Sequence, residues 1–274
     1  MDKLAENPQD SVLLVKVSGY EDASQPGTDA AWYNAAYLDP SYQAVIEQIV
    51  PQLPNWSFGD EQERFQLFAS LLDHSSQEVR TLALKELDRA DYSVLRELNL
   101  EHLPSGEDIA TGDPELLPIR ILLAGLAGRI ELTEVLESGL HNNVDTDLPY
   151  LGAYSSALVE LNGSVAAEEI ANDYLRSDTI PFSTREKILE SFAILARAGA
   201  PETSQAIRQI TTDVLLEAPE LAPAVARQFG FQSDWSQSEA MAEAARGHKF
   251  ADIADLFAVN QYVTLAQTMS LPEQ

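Results

Sequence analysis

The sequence predicts an all-α protein, an α-solenoid of antiparallel helix pairs with a short N-terminal extended segment. One observation is an amphipathic helix at residues 75–90, whose apolar residues recur at spacings of three and four. Another is a set of glycines that each follow an apolar helical segment at spacings of 35, 36 and 31 residues: Gly128, Gly163, Gly199 and Gly230. Together these observations predict a two-helix repeat of about 35 residues.

Residues 1–29 form the predicted N-terminal extended segment and loop. The run at residues 12–17 is rich in valine and leucine, and turn-forming residues follow it. A lone strand has open hydrogen-bonding edges. We therefore expect it to pair with another chain, to be covered by helices, or to belong to a β-region outside this sequence.

Residues 30–103 are predicted to form an N-terminal helical sub-array. The helical pattern begins at Ala30, and Asp39 with Pro40 is a typical N-cap and first-turn pair for the next helix. Three aromatic side chains are expected to close the end of the stack: Trp32, Tyr33 and Tyr37.

The helix at residues 75–90 has a predicted partner in the segment before it. Ser75 and Glu78 are spaced as a capping box, which marks the start of the helix. Asp60 is a candidate cap for the preceding helix, whose apolar stripe is Phe65, Phe68 and Leu72. Because the connection at His74 is short, the two helices are expected to pack as an antiparallel pair.

Residues 114–274 are predicted to form a C-terminal helical repeat array. Residues 103–113 are the predicted linker, and the alternative is one continuous solenoid. The run Pro-Glu-Leu-Leu-Pro at residues 114–118 is echoed by Pro-Glu-Leu-Ala-Pro at residues 219–223, a separation of 105 residues or three repeats. The repeated glycines are expected to supply left-handed helix C-caps.

The helix predicted at residues 75–90 carries a sequence motif. Val79, Arg80, Ala83 and Leu87 match the Val-Arg-x-x-Ala-x-x-x-Leu pattern typical of the second helix of a HEAT repeat. The chain therefore resembles HEAT-like helical repeat proteins, with partial echoes of the motif at Arg120 and Arg208. The resemblance implies a binding scaffold that presents a curved surface to partners, and the motif itself carries no catalytic residue.

The charge of the chain limits its partners. The net charge of −27 comes from 44 acidic and 17 basic residues, spread along the sequence. Nucleic acid and anionic membranes would be repelled, and no local basic patch offsets the repulsion. The acidity fits a basic partner, a salty environment, or simply a solvated surface.

The chain contains no cysteine, which excludes disulfides, thiolate metal sites and cysteine nucleophiles. No apolar run approaches the roughly 20 residues that a membrane span needs. No signal peptide is recognisable, so the expected location is cytoplasmic, although an exported protein cut after its signal would look the same.

The sequence contains no recognisable catalytic motif. Its four histidines are dispersed without ligand spacing, and no nucleotide fingerprint occurs, so we expect no catalytic residue, metal site or cofactor. The favoured hypothesis is a non-enzymatic scaffold that binds a protein or peptide partner on a curved helical surface. Its candidate partner-binding residues are Arg80, Arg120 and Arg208. The alternative is an enzyme or small-ligand carrier with a pocket near the aromatic N-terminal segment, and the oligomeric state stays open.

Overall fold

A computed structural model describes residues 7–17, 31–56, 59, 61–103, 113–144, 148–250 and 252–269. In these ranges the protein is mostly helical, with one small sheet. The prediction of an all-α protein with a short extended segment is therefore confirmed at this level. Among the described helices, none combines the length and apolar character that crossing a membrane requires.

The N-terminal segment is a β-hairpin. Strand β1 (Ser11–Val17) pairs antiparallel with β2 (Ala31–Leu38). The strand predicted at residues 12–17 is confirmed, and its partner strand lies in the same chain. The prediction of helix from Ala30 is wrong, because residues 31–38 are extended and form a ladder with β1. The strand is rich in aromatic residues, which favour the pleated surface of a sheet.

Helix α1 (Pro40–Ile49) begins as predicted. The Asp39 carboxylate accepts a hydrogen bond from the Tyr42 amide at 2.8 Å, and Pro40 occupies the first turn. A 3₁₀ turn (Val50–Gln52) and the short helix α2 (Leu53–Trp56) follow. The Trp56 ring packs on Phe68, with centroids 5.9 Å apart, so Trp56 anchors this joint in the core.

Helices α3 (Glu61–Ala69) and α4 (Gln77–Leu87) form the predicted pair, and the short helix α5 (Tyr92–Arg96) follows. Their facing stripes are buried: Phe65, Phe68, Leu72, Val79, Ala83 and Leu87. The start of α4 differs from the expected capping box. Ser76 rather than Ser75 is the N-cap, and its hydroxyl donates to Glu78 Oε2 at 2.9 Å. Asp60 lies outside the described residues.

The described residues after the predicted linker form eight further helices, and residues 104–112 of that linker lie outside the described ranges. They are α6 (Leu117–Leu126), α7 (Thr133–Asn143), α8 (Leu148–Ile170), α9 (Phe182–Ala198), α10 (Pro201–Glu217), α11 (Ala222–Phe231), α12 (Ser238–Gly247) and α13 (Ile253–Met269). Helix α8 continues into a π-helical turn (Ala171–Leu175). The two Pro-Glu-Leu echoes adopt the same structure, a 3₁₀ turn (Pro114–Leu116 and Pro219–Leu221) that leads into a ten-residue helix.

The C-terminal helices stack in sequence order. Helix α6 contacts α8, α8 contacts α9, α9 contacts α11, and α11 contacts α13. A second series runs from α7 through α8 and α10 to α12. Helices on both sides of the predicted linker contribute to one hydrophobic cluster, and α4 and α5 contact α6. The domain boundaries and the HEAT-type solenoid stay predictions.

The four repeated glycines do not share one conformation. Gly128 has a φ of 67°, as expected for a left-handed C-cap. Gly163 also has a positive φ, of 62°, but its ψ of −139° lies outside the left-handed helical region, and it forms a kink inside α8. The prediction of a left-handed C-cap is therefore wrong for Gly163, Gly199 and Gly230. Gly199 is extended, with a φ of −72° and a ψ of −179°, because the chain passes directly into α10. Gly230 lies inside α11. The residue with a left-handed φ is Ser233, at 55°, which follows the end of that helix.

Candidate functional site

A groove lies where the N-terminal helices meet the C-terminal array. We call this depression of about 340 Å³ the central groove. It is lined by the α4–α5 connection, by α5 and α6, and by the neighbouring parts of α8 and α9: Asp88, Ala90, Asp91, Tyr92, Leu95, Pro118, Ile119, Leu122, Gly152, Ala153, Ser156, Lys187, Glu190, Ser191 and Ile194.

The floor of the central groove is largely apolar. Leu95 and Ile119 are buried, and Leu122, Ala153 and Ile194 are partly buried. These residues come from α5, which precedes the predicted linker, and from α6, α8 and α9, which follow it. The floor therefore exists only when the helices on the two sides of the linker pack together. A floor of this kind can accept an apolar side chain from a binding partner.

The rim of the central groove is acidic. Asp88 and Asp91 are exposed, and Glu190 is bound to Lys187, whose ammonium lies 2.6 Å from Glu190 Oε2. Asp91 occupies the N-cap position of α5, yet its side chain accepts no capping hydrogen bond. Its carboxylate is therefore not committed to the helix start. Three acids and one base give the rim a negative potential, which favours a basic partner.

A polar network joins the two halves of the protein beside the groove. The Tyr92 hydroxyl donates a hydrogen bond to Glu160 Oε1, and Arg96 Nε donates to the same oxygen at 2.9 Å. Arg96 also donates to the Ala198 carbonyl at 3.4 Å. Burial, followed by the charge of Glu160, raises the pKa of Tyr92 well above the usual range of a phenol. The network fixes the position of α5 against α8 and α9.

Gly152 is the unusual residue of the groove. It lies inside α8, where glycine costs roughly 0.5–1 kcal/mol relative to alanine. A Cβ at Gly125 would lie 2.5 Å from Ala157 Cα, and one at Gly139 would lie 2.2 Å from the Tyr154 ring, so close packing explains both of those glycines. A Cβ at Gly152 would meet nothing within 4 Å. Close packing therefore does not explain Gly152, and a larger side chain there would have open space.

The structure places the three predicted arginines in intramolecular hydrogen bonds. Arg80 Nη1 donates to the carbonyls of His74 and Ser75 at 2.6 and 3.1 Å, beside the start of α4. Arg120 Nη2 donates to the Asp113 carbonyl at 2.7 Å and Nε to the Leu116 carbonyl at 3.3 Å. These two side chains secure the turns before their own helices.

Arg208 joins two helices to a loop. Its Nη2 donates to the Ala196 carbonyl at 2.6 Å, and its Nε lies 2.9 Å from Asp234 Oδ2. None of the three predicted arginines is among the described residues that line the central groove. Their role in partner binding stays a prediction.

A second depression, of about 380 Å³, lies near the N-terminus. It is lined by Ile46, Ile49, Leu53, Trp56, Arg64, Phe68, Leu82 and Glu86. The predicted aromatic segment is not among its described lining residues, and the rings that line it belong to Trp56 and Phe68. Its two charged groups bind each other, because Arg64 Nη2 donates to Glu86 Oε2, and Arg89 binds the other carboxylate oxygen. The charged groups among its described lining residues are therefore joined in an ion pair.

One ion pair in the described part of the chain involves a histidine. The closest pair of titratable groups involving a histidine is exposed: His102 Nδ1 lies 2.9 Å from Asp73 Oδ2, and this hydrogen bond raises the pKa of His102. In the described ranges, no three histidine, aspartate or glutamate side chains converge in a way that could hold a metal ion.

The groove residues were not identified in the sequence. Two residues still carry a usable signal. Gly152, which lines the groove, stands inside a helical pattern, and Glu160, which binds Tyr92 beside the groove, interrupts an otherwise apolar helical run. Comparisons of the chain with protein-family models, with curated proteins and with solved structures found no significant match.

Proposed function

We propose that this protein is a non-enzymatic scaffold of the HEAT-like α-solenoid type that binds a basic segment of a protein partner in the central groove. The observation that carries the proposal is the combination of an apolar floor with an acidic rim. An amphipathic segment with one apolar anchor and flanking lysine or arginine side chains complements both features.

The stacking of the helices supports the solenoid part of the proposal. In a solenoid each unit contacts mainly its neighbours along the chain. The succession α6, α8, α9, α11 and α13 follows this rule, and the second series of helices packs alongside it. The Val79-Arg80 motif of α4 and the repeated 3₁₀ turns before α6 and α11 agree with a repeated unit.

The net charge supports the choice of partner. A chain of charge −27 attracts basic segments over long distances and repels nucleic acid and anionic lipid. The local rim then orients the attracted segment, and the floor supplies the apolar contact. Gly152 fits the same proposal, because a side chain at this position would project into the groove.

The test places an arginine in the groove. Proteins captured on the wild-type chain are identified, and the affinity of each purified candidate is measured for wild type, Gly152→Arg and Ala206→Arg. Ala206 lines a separate depression between α8 and α10 and is partly buried, as Gly152 is, so the same side chain is added outside the groove.

We expect Gly152→Arg to weaken binding about tenfold or more, because it fills the groove and adds a positive charge to an acidic rim. Ala206→Arg should bind as wild type does. The proposal is overturned when every captured partner binds Gly152→Arg and wild type equally well while both proteins melt as folded chains.

A further inference from the structure

The N-terminal hairpin is a two-stranded sheet in the described part of the chain. In the described part of the chain, β1 and β2 pair only with each other. A two-stranded hairpin is at best marginally stable by itself, and open edges are templates for a further strand. The end of β1 and the start of β2 also expose large apolar side chains on both faces of the hairpin: Leu14, Val15, Trp32 and Tyr33.

The β1 edge is better suited to pairing than the β2 edge. The register shifts between Leu13 and Leu14, which leaves Ala35 of β2 without a partner residue. Such a bulge disturbs the hydrogen bonding of the strand that contains it. Strand β1 contains neither proline nor glycine and is not interrupted.

The charges of β1 are arranged for pairing with a copy of itself. Asp10 lies directly before the strand, and Lys16 lies near its end. In an antiparallel pair with a two-fold axis at Leu13, each Asp10 faces Lys16 of the second copy. In the same register Val12 faces Leu14. Opposite charges and apolar side chains that face each other across strands are stabilising pairs.

We propose that β1 binds β1 of a second copy of this chain, antiparallel and centred on Leu13, to form a four-stranded sheet in a symmetric dimer. A two-fold contact uses the same surface on both copies and closes on itself. The strand with its flanking residue carries one acid and one base, so the contact is locally neutral although each chain carries a charge of −27. The proposal is independent of the central groove.

A charge-reversal series tests the register. Sedimentation of wild type should show a concentration-dependent dimer. Lys16→Glu and Asp10→Lys should each weaken it about tenfold, because each reversal places two like-charged pairs across the two-fold axis. The combined Asp10→Lys, Lys16→Glu protein should recover the wild-type dimer. A wild-type chain that is monomeric at every concentration overturns the proposal, as does a combined variant that stays as weak as the single ones.

Crosslinking tests the position of the axis. The chain has no cysteine, so one introduced cysteine is a specific probe. Under a copper–phenanthroline catalyst in air, Leu13→Cys should form a disulfide-linked dimer, because the two residues face each other. Leu14→Cys is the matched control and should crosslink far less, since it faces Val12. Equal crosslinking at both positions overturns the register. Gly152→Arg should dimerise as wild type does, which separates this proposal from the groove.

Discussion

The Tyr92 hydroxyl donates a hydrogen bond to the carboxylate of Glu160, a residue 68 positions further along the chain. The side chain of Glu160 is only 11% exposed. The bond therefore joins α5 to α8 in a poorly solvated position beside the central groove. Hydrogen bonds to a charged group in such a place contribute more to stability than those between neutral groups.

We expect Tyr92→Phe to lower the free energy of unfolding by about 1.5–3 kcal/mol, the contribution of a hydrogen bond to a charged group. Denaturant unfolding measures the loss. Tyr33→Phe is the control, because Tyr33 is exposed and should show almost no change. Equal stability of Tyr92→Phe and wild type would contradict a role for this bond in holding α5.

The raised pKa of Tyr92 predicts how stability depends on alkaline pH. The unfolded chain loses the phenolic proton near pH 10, whereas burial keeps the folded side chain protonated. Above about pH 10 the unfolded state binds fewer protons, so wild-type stability should fall as pH rises. In Tyr92→Phe the fall should be smaller but not absent, because burial also raises the pKa of Tyr262.

Two helical glycines should respond in opposite ways to alanine. Gly152→Ala should raise the free energy of unfolding by about 0.5–1 kcal/mol, because a Cβ there meets nothing and alanine favours the helix. Gly125→Ala should lower it by about 1–3 kcal/mol, because the new methyl overlaps Ala157. Thermal melts of the two variants compare them directly, and a destabilised Gly152→Ala would show that the position is packed.

Leu87 tests the helix pair α3–α4. It is fully buried, so Leu87→Ala should leave a cavity and lower the free energy of unfolding by roughly 2–4 kcal/mol. Leu216→Ala is the matched control, because 54% of Leu216 is exposed. A loss under about 1 kcal/mol at Leu87 would mean that the surrounding helices collapse into the space.

Arg208 should be measurable as a structural residue. Burial alone would raise the pKa of Asp234, but hydrogen bonds from Ser236 and Arg208 hold it below its usual range. Arg208→Gln should therefore cost about 1–3 kcal/mol at neutral pH. Because a lowered carboxyl pKa stabilises the folded state only above the unfolded value, the difference from wild type should shrink below about pH 4. Arg89→Gln, at an exposed arginine, is the control.

The net charge predicts the effect of salt. Many of the 44 acidic residues lie within a screening length of one another at low ionic strength, where that length is about 30 Å. We expect the melting temperature to rise between about 0.01 and about 1 M NaCl, because exposed ion pairs contribute little that salt could remove. A melting temperature that is flat or falls over this range would exclude strain from the net charge.

The sequence predicts those parts of the fold that depend on residues close to one another along the chain. The Asp39 cap and the buried stripe of α4 are examples. Each is a local pattern of residues that is typical of a helix. Strand β2 was predicted as a helix because its bulge at Ala35 breaks the alternation of a strand and leaves Tyr33 and Tyr37 at a helical spacing of four. The sequence alone could not reveal this, since the bulge is defined only by pairing with β1.

The candidate site depends on contacts between distant residues. Tyr92 and Glu160 meet only because α5 packs on α8, and the acidic rim combines residues from two separate stretches of the chain. The spacing of residues within one helix contains no information about contacts between different helices. Charge and motif position single out the three arginines in the sequence, but their hydrogen bonds to carbonyl groups depend on turns whose geometry the sequence does not specify.

Helix α8 lies at the centre of the stack of C-terminal helices. It contacts α6 and α7 before it and α9 and α10 after it. Most of these contacts join helices close in sequence, which favours rapid folding from a local nucleus. Amide hydrogens of α8 and α9 should then be the last to exchange with solvent, while those of the N-terminal hairpin exchange early. The N-terminal hairpin should thus open in a subglobal step long before the protein unfolds globally.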